Sequence, residues 1–179
     1  MSAELDALIT PEMRACIGRT SPVVSLPEEI SASDVRRYVQ AVGDDNPLWS
    51  NDELARRAGY RGRRVPPLLV VELHWRTGDR EAENLVESEW SGLVYPEEFT
   101  SFRNAGRELE WFAPVYVGDL LTFQSRLADL FVRQGRDGPM IFTKLECDIR
   151  NQEGVLVARM TTTGARMRAA RYAEAAAEP

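Results

Sequence analysis

The chain has 179 residues, 44% of them hydrophobic and 28% charged, with a net charge of −6; that length supports one ordinary core and not two. Arginines dispersed among more numerous acids argue against a broad nucleic-acid surface, which needs clustered positive charge. Cys16 and Cys147 are too far apart for a disulfide framework or zinc spacing, so a reducing cytoplasm, no metal and no cofactor are expected, and no apolar run nears the roughly 20 residues that span a bilayer.

Taken in chain order, Leu5, Leu8, Ile9 and Met13 fall at helical spacing before Gly18 interrupts them, which predicts a short entry helix within residues 5–17. Val23, Val24, Leu26 and Ile30, bounded by Pro22 and Pro27, read as a β-rich stretch. Ser31 or Ser33 then caps a helix carrying Val35, Tyr38, Val39 and Val42 that ends near Gly43. The polar run Asp44-Asp45-Asn46-Pro47 follows, and Asn51 caps a second short helix through Leu54, Ala55 and Ala58, stopped by Gly59. Residues 59–67 hold two glycines and a Pro-Pro pair, the composition of a loop.

From Pro67 the chain is nearly all apolar, LLVVELHW. With proline suited to a first helical turn this predicts a buried central helix to about Arg76, although the periodicity alone also allows a buried strand. Residues 78–101 keep no period and predict a long excursion. Then come four strand-like segments, Arg107–Phe112, Leu120–Phe131, Met140–Arg150 and Val155–Met167, separated by the turn sequences VGD, GRDGP and NQEG. The expected fold class is α+β, an antiparallel sheet wrapped around the central helix. Residues 169–179, rich in Ala and Glu without an apolar stripe, read as a tail.

Three stretches in this order carry a family resemblance. Residues 38–52, with Asp44, Asn46-Pro47-Leu48, then Ala55 and Gly59-Tyr60, resemble the D-x-N-P-L-H hydratase segment of MaoC-like proteins. Trp49 stands where that family has histidine. RELEWFAPVYVGDLLTF, residues 107–123, is similar to its E-F-x-x-P-(V/I)-x-x-G-D-x-L element, and residues 151–167 resemble its closing hairpin.

The amino-terminal stretch and GYRG-x-x-x-P look like the N-terminal, dehydratase-like subfamily, some members of which are substrate-binding subunits of heterodimeric 3-hydroxyacyl-thioester dehydratases. The resemblance implies a single hotdog fold over residues 19–168, with 1–18 as an amino-terminal extension. It also implies an acyl-CoA or acyl-ACP substrate, and either a MaoC-like catalytic partner or a homodimer. Neither nucleic acid nor membrane is an expected partner.

Hydration of an enoyl thioester needs a base for water, an acid at the α-carbon and donors to the thioester oxygen. The resemblance assigns the proton work to an aspartate and a histidine, and the donor role to the amide at the start of the central helix, here Leu68, since Pro67 has no N–H. Asp44 is the candidate catalytic residue; DDNP is equally good turn chemistry, which would make Asp44 an Asx-turn residue.

Asn46 is expected to hold the loop. Trp49, a donor only, either packs on an acyl chain or anchors the overhanging segment. Tyr60 is placed at the same substrate site, and Arg61, Arg63 and Arg64 either meet a carrier phosphate or are ordinary exposed arginines. His74, about two turns into the central helix, is read as a hydrogen-bonded core or interface residue. Trp90, Tyr95, Phe99 and Phe102 wall an acyl tunnel or pin the excursion to the sheet.

The leading expectation is an acyl-thioester-binding subunit of a heteromeric (R)-specific hydratase/dehydratase. A self-sufficient enzyme using Asp44, a noncatalytic acyl-binding homodimer and a thioesterase are the alternatives.

Overall fold

The computed structural model describes residues 5–74 and 90–168. In chain order the elements are α1 (Pro11–Arg14), β1 (Val24–Ser25), α2 (Ala32–Val42), a 3-10 turn (Pro47–Trp49), α3 (Asp52–Arg57), α4 (Pro67–Glu72), β2 (Ser101–Trp111), β3 (Thr122–Gly135), β4 (Gly138–Arg150) and β5 (Leu156–Met167). The strands form one five-stranded sheet in the order β1-β3-β4-β5-β2, antiparallel throughout. The α+β class expected from the sequence is the one observed.

Local chemistry sets the helix ends. Ser31 and Asp34 make a reciprocal capping box at the start of α2, and Gly43 closes that helix in the left-handed region at φ 70, a conformation that costs glycine little. Asn51 caps α3 through two amides, and Pro67 opens α4, where its missing N–H has no intrahelical acceptor to lose. The entry helix is broken where its spacing predicts continuity: residues 5–6 are helical, a turn follows, and Thr10 caps a new start at Pro11–Arg14. The expected strand over residues 23–30 shrinks to two residues. Residues 71–72 are helical and 73–74 a 3-10 turn; the rest of the predicted central helix, most of the excursion and the tail lie outside the described residues.

Alternation along β4 buries Ile141, Thr143, Leu145, Cys147 and Ile149 on one face, the period-two pattern of a half-buried strand. That face meets two contiguous apolar clusters. In the first, Leu69, Val70, Val71 and Leu73 of the α4 segment join Phe123, Ile149 and Met160 of the sheet and Leu121 just before β3. In the second, Ile9, Met13 and Cys16 join Leu127, Leu130, Ile141 and Leu145. Each such fully buried aliphatic side chain contributes about 1.5–3 kcal/mol, so both clusters bind the helical segments to the sheet. Among the described residues no helix is long and apolar enough to cross a membrane.

β2 is the long edge strand. It pairs with β5 over ten residue pairs, with a bulge between Asn104 and Gly106, and its other edge has no neighbouring strand among the described residues.

Candidate functional site

The site begins where α2 stops. After the Gly43 turn, Asp44 Oδ1 accepts the Asn46 N–H (3.1 Å), and Asn46 Oδ1 accepts the Leu48 N–H (3.0 Å), starting the 3-10 turn. That turn buries Trp49, whose Nε1–H donates to Asp44 Oδ2 at 2.8 Å. Both oxygens of Asp44 are thus engaged, one by backbone and one by an indole that has no acceptor to offer in return. Asn46 holds the loop, as its residue type predicts.

The next segment lies extended against residues 115–117. Arg64 N–H donates to Leu48 O (3.1 Å), Val65 N–H to Val115 O (2.8 Å) and Val117 N–H to Arg63 O (3.0 Å), with a bridge between Arg64 and Tyr116. Successive side chains of an extended run point opposite ways, and this separates the arginines. Arg63 turns to Asp52, with Nε 3.1 Å from Oδ2. Arg64 turns the other way: Nη1 donates to Tyr60 Oη (3.2 Å), and Cζ lies 4.5 Å from the Tyr60 ring centroid and 5.7 Å from that of Trp49. Arg61 pairs with Asp119 and covers the Tyr116 ring at 4.4 Å.

Two clefts result. One, of about 200 Å³, runs beside the start of α4 and is lined by Arg64, Pro67, Val70, Trp111, Phe112 and Pro114 among others. The other, of about 260 Å³, is polar and lined by Asp52, Arg56, Arg61, Arg63 and Tyr116. Asp44, Asn46, Trp49, Tyr60 and Arg64 are thus linked by contacts into one group, of which Arg64 alone lines the first cleft. Arg63 belongs to the second. Leu68 sits in the first turn of α4 with its side chain 55% exposed, and only its amide faces the question of donor chemistry, since N–H groups of a first turn have no intrahelical acceptor.

Three groups were not legible as site or scaffold from the sequence. Asp119, in the VGD turn, is 1% exposed and accepts from Arg61, from Gln152 Nε2 at 3.2 Å and from the Tyr116 N–H at 2.9 Å. Buried charge persists only when paired and hydrogen-bonded, and Asp119 ties three separate segments around the polar cleft. Trp111 and Phe112, 43% and 52% exposed, wall the first cleft; their signal was their place just before Ala113-Pro114.

The aromatic residues of the excursion do the other thing their sequence allowed. Trp90, Tyr95 and Phe99 pack on the second apolar cluster, and Tyr95 Oη is hydrogen-bonded to Thr143 Oγ1.

His74 is buried in the core, hydrogen-bonded through Nδ1 to the Val71 carbonyl. Burial holds its pKa below the usual value, even though the Val71 bond and Glu72 act the other way. Cys147 is likewise a core group: burial pushes its thiol up to about 11, so it carries little thiolate near neutrality. Among the described residues no group of three or more His, Cys, Asp or Glu is placed to hold a metal ion.

Comparisons with known proteins fit this geometry. A family model described as "FAS1-like, dehydratase domain region" matches residues 15–160. A UPF0336 protein of Streptomyces avermitilis is 27% identical over 68% of this chain and 75% of its own. The mitochondrial 3-hydroxyacyl-[acyl-carrier-protein] dehydratase of Arabidopsis thaliana is 30% identical over 50% of this chain and 43% of its own.

Among solved structures, the ChsH1-ChsH2 complex of Mycobacterium tuberculosis contains a chain that superposes with a TM-score of 0.68 at 16% identity, covering 94% of this chain and 93% of that one. A chain of the C-terminally truncated HadBC (3R-hydroxyacyl-ACP dehydratase) complex of the same organism gives 0.59 at 18% identity, over 82% and 96%. These likenesses establish the hotdog fold.

Proposed function

Since the chain belongs to the FAS1-like dehydratase-domain family of MaoC-like hotdog proteins, we propose that it is the acyl-thioester-binding subunit of a heteromeric (R)-specific 2-enoyl/3-hydroxyacyl-CoA or -ACP hydratase/dehydratase. A MaoC-like partner subunit supplies the aspartate-histidine pair. In this reading the unit spans residues 19–168, residues 1–18 form an extension to it, and the assembly works in the cytoplasm.

The observation that carries the reading is the Trp49–Asp44 hydrogen bond at 2.8 Å. Hydration requires a group that takes a proton from water and a second that delivers one to carbon. In the family's register Asp44 is the aspartate and Trp49 the histidine, and indole neither accepts nor relays a proton. With its other oxygen on the Asn46 amide, Asp44 serves as a scaffold acceptor. What the chain retains is the cleft beside α4, apolar on most of its lining, a form suited to an acyl thioester.

Two features support a partner. Among the described residues the outer edge of β2 is unpaired, and long open edges are otherwise blunted or covered. Trp111 and Phe112 stay exposed beside it, so a facing subunit would bury them and close the cleft. The chains of similar fold in the ChsH1-ChsH2 and HadBC structures come from two-component complexes.

Purification alone and together with a MaoC-like subunit carrying an intact D-x-N-P-L-H segment tests this, with hydration of crotonyl-CoA as the assay. The expected result is co-purification, activity in the complex and none in the single chain. Enzyme-like rates from the single chain, lost in Asp44→Asn, would instead establish the self-sufficient enzyme. A stable homodimer that binds acyl-CoA without turnover would establish the binding protein.

A further inference from the structure

Arg64 is distinguished from its neighbours by what it lacks. Arg61 has Asp119, Arg63 has Asp52, Arg107 has Glu72 and Arg159 has Asp148 as carboxylate partners. Among the described residues Arg64 forms no ion pair; its one side-chain hydrogen bond is to the neutral Tyr60 hydroxyl, and its Nε, like that of Arg63, is buried with no hydrogen-bond acceptor. The residue is half-buried, and a guanidinium even partly removed from water is costly unless its charge is met.

The side chain is nevertheless held firmly. Its guanidinium lies over the Tyr60 ring and, at greater distance, the Trp49 ring, and Trp49 is fixed in turn by Asp44. The cleft it lines is built otherwise of apolar and proline residues, with no acid. A pre-positioned, unneutralised cation in an apolar wall is complementary to a small anion.

We propose that Arg64 makes the cleft beside α4 selective for an acyl group that bears its own carboxylate, so that the thioester bound here is a dicarboxylic monothioester. The inference rests on the acyl-thioester reading above and names its substrate class. A carrier phosphate has its own arginines in the separate polar cleft, where Arg56 joins the carboxylate-paired Arg61 and Arg63, which leaves Arg64 to the acyl end. Trp49 then has a positive role: the position that carries histidine in the family's pattern becomes one face of the arginine's aromatic clamp.

Calorimetric titration of the full chain with butyryl-CoA and succinyl-CoA, equal in acyl length and carrier, is the test. A charge-assisted pair in a partly desolvated site is expected to favour succinyl-CoA about tenfold or more. In Arg64→Met that ratio should collapse towards one, and in Arg64→Lys, which keeps the charge but not the planar fork, a reduced preference should persist. Circular dichroism of each variant establishes that it is folded.

Equal affinity of the wild type for the two thioesters, or a succinyl preference that survives in folded Arg64→Met, overturns the carboxylate assignment and leaves the acyl-thioester reading standing. Binding of neither thioester, by the chain alone or in its complex, overturns both.

Discussion

Trp49 and Asp44 form a couple whose parts are separable by mutation. Trp49→Phe keeps most of the buried ring and deletes the Nε1–H that reaches Asp44. Hydrogen bonds to charged groups contribute about 1.5–3 kcal/mol, but Asp44 is only half-buried and water replaces part of the loss. A decrease of roughly 1 kcal/mol is therefore expected, read from the midpoint of urea unfolding.

His74 gives a second residue-scale expectation, this time in pH. Its folded-state pKa lies below the ordinary 6.5 because the ring is buried. Above that ordinary value both folded and unfolded rings are neutral and the group adds nothing to the pH dependence. As pH falls below it the unfolded chain takes up a proton that the folded core resists, so stability declines until the folded pKa is reached. Thermal unfolding of the wild type should thus weaken as pH falls below 6.5, and His74→Gln should flatten that part of the profile. The sequence foretold a core histidine from its depth in an apolar run; the direction of its titration needed the burial itself.

At the scale of elements, the ends of α2 were readable because capping is local: Ser31, Asp34 and Gly43 act within a few residues of one another. Ser31→Ala removes an acceptor from the Asp34 N–H and a donor to Asp34 Oδ2. A cost of about 1 kcal/mol is expected, measurable as a lower denaturation midpoint with an unchanged slope. The first half of β2 was not readable. Ser101–Gly106 is exposed on nearly every residue, so no alternation marks it, and Gly106 at φ 152 interrupts it. Its strand character comes from pairing with β5, a long-range fact that local sequence does not carry. The same reason explains why Arg61, Arg63 and Arg64 read as one basic cluster: only the bridge to Tyr116 fixes the extended run that sends them apart.

For the molecule as a whole, architecture was more legible than site. Order of motifs and strand periodicity imply a sheet around a helix, whereas the wall formed by Trp111 and Phe112 exists only once residues 111–115 lie across from 64–70. The open edge of β2 gives the whole-molecule prediction. In hydrogen exchange of the isolated chain, amides on the unpaired side of β2 should exchange quickly while those of β4, paired on both sides, are protected; adding the partner subunit should protect β2 in the same time window. Unchanged exchange in β2 upon complex formation would place the contact elsewhere.

The second apolar cluster also dictates a schedule. Ile9, Met13 and Cys16 are synthesised before the strands whose side chains bury them, β3 and β4, and the Gly18 N–H waits for the Leu127 carbonyl. These residues are therefore secured only after a long stretch of later chain has been made, and their burial waits on the β3–β4 hairpin.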